Sequence, residues 1–508
     1  MKIIYVEIAP ADTFNDNGAQ LLQQQYPEGE VIVPNLPADP TEALASLNLL
    51  VKSEKADIVI GVGIGGTLVQ ALYGQYRILI NPIFVLPHCI TDVCISTPEG
   101  KREIVFTPTQ QGHIRHFMPK QFKYVPRGEE QYIYGLFAGK NDFLLYSETF
   151  FKQHFKYNFN YDGTGLLTAD DWANNVVPIL HMLSDQINHI QKPIAYFGLE
   201  GVLADIDKAE ASLTDKEREQ YKNHIECVPG IYQEMEPVQG AVEAFKALSR
   251  HYDLYILTSA PWNNEDVWSE KIKWVKKHLG IYGYKRVIMT HRKDLNEGQL
   301  LVDRRAGKGA AQFEGTWLQF GEAPVSNWNE TLKYLLGTEP KICNGDKGEA
   351  DHFAADNRPI LYLDMDSVLV DFAGAVKHKL TPKETEKYRD HYDDVPDIFS
   401  RMEPIKGAVE AFDLLSEHFN TYLLSTAPWD NNRAWSDKVR WVKKYLGEKA
   451  ENRLVLSHHK NLSQGSYLID DSSRNGAKEF CGKWFQFGKA PYENWGKMLG
   501  ALKMMNIL

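Results

Sequence analysis

The sequence predicts an α/β chain made of three doubly wound, Rossmann-like domains. Three observations lead there. The 508 residues are more than one hydrophobic core organises, since a domain commonly holds on the order of 100–200 residues. Short apolar runs rich in Ile, Leu, Val and Tyr alternate with longer stretches of helical period, as parallel βαβ units require. A long internal repeat then fixes boundaries that composition alone leaves vague.

The N-terminal stretch MKIIYVEIAP reads as a short buried strand and lacks the apolar core and cleavage site of a secretory signal, so a cytoplasmic location is expected. Further on, ADIVIGVGIGG runs into a helix near Thr67 and places G-V-G-I-G-G where a G-x-S-x-G nucleophile elbow would lie, with Gly63 at the nucleophile position. The segment resembles the small α/β-hydrolase family related to bacterial esterases of the YqiA type. That resemblance implies a triad acid at Asp142, in LFAGKNDFLL, and a histidine near DGTGLLT, where Leu166 stands instead. With two of three catalytic groups missing, acyl transfer is not expected and residues 1–188 are read as a degenerate hydrolase-like domain. A glycine-rich turn can also cradle a phosphate, but G-x-G-x-G-G alone is weak, and a plain scaffold is the favoured reading.

The repeat begins at Met235, where MEPVQGAVEAFKALSRHYDLYILTSAPWNN anticipates MEPIKGAVEAFDLLSEHFNTYLLSTAPWDN from Met402. WSEKIKWVKKHLG returns as WSDKVRWVKKYLG, and QFGEAPVSNW as QFGKAPYENW, in the same order. One copy therefore spans 190–337 and the other 357–508, joined by a polar linker at 338–356. In each copy strands alternate with amphipathic helices. Ligands of such sheets bind beyond the carboxyl ends of the strands, so the residues directly after each strand carry the functional reading.

In the second copy, PILYL is followed by Asp364 and Asp366, two carboxylates two residues apart. NTYLLS is followed by Thr426 and Ala427, a hydroxyl beside a backbone N–H suited to an anionic oxygen. Lys460 follows LVLSHH, and Asp470 and Asp471 follow SYLI. Four acids converging on one sheet edge would repel one another. A hard divalent cation resolves the repulsion, and an all-oxygen donor set without His or Cys favours Mg²⁺ over zinc. A lone D-x-D is more often a helix cap or a surface pair, and the order of all four segments is what gives the signal its weight.

That order resembles the four motifs of the haloacid dehalogenase (HAD) superfamily across the whole second copy. Within it, D-x-D-x-V-L-x-D-F and KVRWVKKYLG are similar to the 5'(3')-deoxyribonucleotidase family. The resemblance implies a Mg²⁺-dependent phosphomonoester hydrolase acting on nucleoside or deoxynucleoside monophosphates. Asp364 would be the nucleophile and Asp366 the general acid and then base, with Thr426, Ala427 and Lys460 holding the phosphoryl oxygens. Asp364, the Asp366 carbonyl and one or both of Asp470 and Asp471 would hold the metal. The role of Asp371 is left open. Residues 372–401 would form a small helical cap with Phe372, Tyr388, Tyr392 and Phe399, aromatics better read as cap core than as base-stacking groups. Ser367 departs from the family's usual Gly.

Aligning the copies turns Asp364 into Gly198, Asp366 into Glu200, and Asp470-Asp471 into Asp303-Arg304, while Ser259 and Lys293 persist. The first copy is therefore expected to be inactive. It is read either as a structural partner, the favoured view, or as a pocket still holding phosphate through Ser259, Lys293 and Arg304. Net charge −11 without clustered Lys and Arg speaks against a duplex nucleic-acid partner, and no apolar run is long enough to span a bilayer. Five scattered cysteines fit reduced thiols. The expected partner is a small phosphorylated substrate, with self-association left open. Two alternatives remain: a phosphatase of another small ester, and a nucleotide-sensing or regulatory protein that binds through its two degenerate domains.

Overall fold

A computed structural model describes the whole chain apart from residues 11–13, 16, 85–91, 99, 106–111, 118–124, 127, 141, 223, 338–342, 346–355 and 390. Most of the expected linker therefore lies outside the described residues. The chain forms two compact units, Met1–Ile190 and Gln191–Leu508. Among the described residues, no helix is long and apolar enough to cross a membrane.

The first unit is built on an eight-stranded sheet. Its strands are β1 (Lys2–Pro10), β2 (Glu30–Ile32), β3 (Ile58–Gly63), β4 (Tyr76–Ile80), β5 (Asp92–Thr97), β6 (Gly100–Val105), β7 (Ile133–Ala138) and β8 (Tyr157–Tyr161). They run in the order β6-β5-β1-β3-β4-β7-β8, with β2 beside β1. The strands β1, β3 and β4 are almost wholly apolar because helices cover both faces.

Gly63, at φ 62° and ψ −124°, makes the sharp turn from β3 into the helix Ile64–Gln70. The backbone has the shape of an elbow but no room for a nucleophile, since a Cβ there would stand 2.6 Å from Ile8 O and 3.0 Å from Ala9 Cβ. A Cβ on Gly65 would meet Val6 O at 2.5 Å. These glycines are explained by close packing of the helix on β1. Asp142 opens the helix Asp142–Lys152, its side chain outside the described set, and Leu166 is 45% exposed on a loop.

The second unit holds both copies of the repeat in a single ten-stranded sheet. The first copy supplies β9 (Ile194–Phe197), β10 (Asp253–Thr258), β11 (Val287–Met289), β12 (Leu300–Asp303) and β13 (Thr316–Gln319). The second supplies β14 (Ile360–Leu363), β15 (Asn420–Ser425), β16 (Leu454–Leu456), β17 (Tyr467–Asp470) and β18 (Lys483–Gln486). The order is β13-β12-β9-β10-β11-β16-β15-β14-β17-β18, parallel within each half. The halves meet antiparallel at Met289 and Leu456, which are equivalent positions of the repeat.

Equivalent residues face one another along this seam. The helices Asp266–Leu279 and Asn432–Leu446 touch through Ser269 and Ser436, whose hydroxyls lie 2.5 Å apart. Each hydroxyl also contacts a carbonyl of the other copy, Ser269 to Asn432 O at 2.8 Å and Ser436 to Glu265 O at 2.7 Å. Glu297 N donates to Leu462 O, and Gln464 N to Leu295 O. The copies thus pack as an intramolecular pseudo-dimer about an approximate two-fold axis. The boundaries read from the repeat mark two halves of one unit, because each half leaves a helix face and a sheet edge that only the other covers.

Trp328 is 1% exposed, donates from Nε1 to Val202 O at 2.8 Å and packs on Phe197 and Phe320. Trp328→Ala should cost about 3–5 kcal/mol. Because the sheet is shared, hydrogen exchange should speed up in the second copy's helix Asn432–Leu446 as well as in the first copy. Faster exchange confined to the first copy would show that the halves unfold independently.

Candidate functional site

The second copy's site lies where β14 and β17 run side by side, with β15 beyond one and β18 beyond the other. Leu363 pairs with Ile469, so the next residues, Asp364 and Asp470, come out as neighbours, and Asp364 N donates to Ile469 O at 2.9 Å. Carboxylate oxygens of Asp364, Asp470 and Asp471 all lie within 4.8 Å of one another. Lys460 Nζ is 3.0 Å from Asp364 Oδ1 and ion-pairs with Asp470. Asp364, Asp470 and Lys460 are buried.

Asp366 sits beside this cluster, half-buried. Its Oδ2 accepts from Lys438 Nζ at 2.7 Å, and its buried Oδ1 has no hydrogen-bond partner among the described residues. Lys438 is a residue that attention to strand ends alone does not find. Fully buried, it also donates to Ser425 Oγ at 3.1 Å, and its ammonium stands 4.6 Å from the centre of the Phe399 ring. The sequence does carry a signal for it: a lysine on the apolar stripe formed with Trp435, Val439 and Val442, repeated in the first copy as Lys271.

Burial and the Asp364 charge push the Asp470 carboxyl up to about 7 and that of Asp471 up to about 6. Asp366 is also raised, by burial and by Asp364 against the opposing pull of Lys438. Burial alone would lower Lys460, but the charges of Asp364 and Asp470 outweigh it and raise it. Four carboxylates (Asp364, Asp366, Asp470, Asp471) thus face two buried lysines (Lys438, Lys460), with the exposed Arg474 acting on Asp471 from the rim, so negative charge is in excess when all are ionised. The all-oxygen donors, their separation and this deficit fit a hard divalent cation.

The remaining candidate residues have clear places. Thr426 follows β15, and its hydroxyl donates to Ser457 O at 2.7 Å; Ala427 beside it is fully buried. Asp371 caps the helix Phe372–Lys379 by accepting from Gly374 N at 2.8 Å, and so has a structural task. The segment 372–401 is helical in short pieces, with Phe399 in the core and Phe372 and Tyr388 packed against it. Ser367 adopts φ 60°, where glycine is the usual occupant.

The first copy closes the corresponding space on itself. A Cβ on Gly198 would stand 2.8 Å from Asp303 Oδ2, and Lys293 Nζ binds that same oxygen at 2.5 Å. Glu200, at the Asp366 position, pairs with Lys271 and accepts from Tyr232 OH at 2.5 Å and Thr258 Oγ1 at 3.1 Å. Arg304 lies over Gly201 and pairs with Asp207 at 2.7 Å. Two acids (Glu200, Asp303) meet two lysines (Lys271, Lys293), so no deficit remains. Lys293 and Arg304, offered by the sequence as phosphate ligands, are both engaged internally.

Two outcomes are expected. Lys438→Met should cost about 3 kcal/mol, because it strands a buried carboxylate; thermal melts read this, and an unchanged melt would mean the pair contributes nothing. Without metal, folded Asp470 and Asp471 hold protons that the unfolded chain releases near its ordinary carboxyl range, so stability falls as pH rises from about 4 to about 7. In EDTA, the drop in melting temperature between about pH 4.5 and pH 7 should be smaller for Asp470→Asn than for wild type. Equal drops would remove these carboxyls as its cause.

A sequence model of the family described as "5' nucleotidase, deoxy (Pyrimidine), cytosolic type C protein" matches residues 210–330 and 376–491. A protein of Vibrio phage KVP40 assigned as a 5'(3')-deoxyribonucleotidase is 48% identical over 150 residues, covering 30% of this chain and 88% of that protein. One of Bordetella pertussis with the same assignment is 40% identical over 82 residues, 16% of this chain and 44% of its own length. The human cytosolic-type 5'(3')-deoxyribonucleotidase is 34% identical over 77 residues, 15% of this chain and 38% of its own.

Proposed function

For a chain that belongs to the 5'(3')-deoxyribonucleotidase family, as this one does, we propose that the second copy is its one working site and hydrolyses nucleoside or deoxynucleoside monophosphates with Mg²⁺. HAD-type 5'-nucleotidase activity is the enzyme class. The observation that carries the finer reading is the charge deficit at Asp364, Asp366, Asp470 and Asp471, which the first copy lacks.

In this reading Asp364 Oδ attacks phosphorus as the bond to the leaving oxygen breaks, and Asp366, its carboxyl raised and so able to hold a proton, protonates that oxygen. Asp366 then takes a proton from the water that cleaves the aspartyl-phosphate, releasing phosphate and restoring Asp364. Lys438 keeps the Asp366 carboxyl aimed, and Lys460 and the Thr426–Ala427 turn hold phosphoryl oxygens, the Thr426 hydroxyl exchanging Ser457 O for the substrate. When bound by Asp364, the Asp366 carbonyl, Asp470 and Asp471, Mg²⁺ supplies positive charge against the phosphoryl oxygens.

The first copy is a structural partner without turnover, since its acids and lysines satisfy one another. The first unit is a scaffold, a reading supported by the crowding at Gly63.

The test is phosphate release from a panel of ribo- and deoxyribonucleoside monophosphates and sugar phosphates, with Mg²⁺ and with EDTA. Wild type should act on a few nucleotides only with metal, and Asp364→Asn should lose at least about a thousand-fold in rate. Activity that survives in Asp364→Asn would sink the mechanism, and preference for sugar phosphates would sink the substrate class.

A further inference from the structure

The pseudo-two-fold seam brings the first copy against the two segments of the second copy that carry Thr426 and Lys460. Trp429, three residues beyond Thr426, is held by Lys276 of the first copy. The Lys276 ammonium donates to the Trp429 carbonyl and stands 5.3 Å from the centre of a Trp429 ring. Tyr284, also of the first copy, meets that indole edge-on at 5.5 Å. His459, directly before Lys460, donates from Nε2 to Lys285 O at 3.1 Å and packs edge-on against Tyr255 at 4.9 Å. Between the two segments His458 is buried against Trp429 and Trp435.

The symmetry-related contacts are built differently. Lys443, the counterpart of Lys276, reaches Trp262 O at 3.3 Å and spends its charge on Glu265. Arg292, the counterpart of His459, turns to Asp294 at 2.6 Å and to Tyr422 OH at 2.7 Å. Glu451 stands at the position equivalent to Tyr284. The first copy therefore braces both oxygen-holding segments of the second; Arg292 returns a cationic contact to Tyr422, whereas the turn at Trp262 is reached by a lysine whose charge is spent on Glu265.

We propose that the first copy acts on the reaction as a positioning partner, with Lys276 as the residue that fixes the Thr426–Trp429 turn for the phosphoryl group. This rests on the second copy being a phosphatase. Small displacements of such a turn are costly, because orientation is a large part of what a preorganised site supplies.

The pseudo-symmetry provides the control. Lys276→Met removes the contacts to the Trp429 carbonyl and ring, and Lys443→Met those to the equivalent Trp262 carbonyl and to Glu265, so both should lower the melting temperature, but only Lys276 bears on the live side. Lys276→Met should lower kcat on the best nucleotide by about ten-fold with a smaller change in KM, Lys276→Arg should recover most of it, and Lys443→Met should keep wild-type kcat. Vanadate, a phosphate analogue, titrated calorimetrically with Mg²⁺, should bind about ten-fold more weakly to Lys276→Met and unchanged to Lys443→Met. Equal effects of the two lysines on kcat and vanadate, or none from Lys276, would overturn the positioning role. Wild type that binds vanadate but releases phosphate from nothing on the panel would overturn the substrate reading instead, and the vanadate comparison would still decide the role of Lys276.

Discussion

The arrangement of the second unit follows from one electrostatic constraint: ionised groups gathered in a dry sheet edge must be compensated nearby. Leaving a charge unpaired away from water costs far more than a single packing defect. The first copy meets the constraint internally, with Glu200 on Lys271 and Asp303 on Lys293. The second keeps two lysines for four carboxylates, and burial together with the Asp364 charge raises Asp470 and Asp471. One backbone therefore carries a charge-balanced core in one half and an excess of carboxylates in the other.

The same constraint explains how substitutions travel together between the copies. Gly201 accompanies Arg304, because a side chain at 201 would strike the arginine stem at 2.5 Å. At the equivalent positions of the second copy stand Ser367, at φ 60°, and Asp471. At Gly198 the neighbour is unchanged, Asp303 standing where the second copy has Asp470, and its carboxylate fills the space a Cβ would need. Returning a single aspartate to position 198 would add charge and bulk where neither has room.

Much of this is legible in the sequence. Asp364, Asp470 and Asp471 end or directly follow a strand, Asp366 and Lys460 come within four residues of one, and the parallel order of those strands is enough to gather them at one edge. Lys438 is harder to see, because a lysine within an amphipathic helix ordinarily belongs to the solvent face, and only its phase relative to Trp435 and Val442 points inward. The shared sheet is not legible either. Val287–Met289 and Leu454–Leu456 are three-residue strands, and nothing in a run that short says whether its edge meets water or another strand. In the first unit the glycines around Gly63 have the local pattern of an elbow, whereas their cause is contact with Ile8 and Val6, a long-range fact that local pattern does not hold.

The self-complementary seam at Ser269 and Ser436 has a further consequence once both halves belong to one polypeptide. A partner on a separate chain is lost on dilution, whereas a covalently tethered one stays at a high effective concentration whatever the protein level. Fusion also frees the halves from being identical. One half can lose its chemistry and keep only its share of the seam, so selection on activity and selection on assembly come to act on different stretches of the same gene.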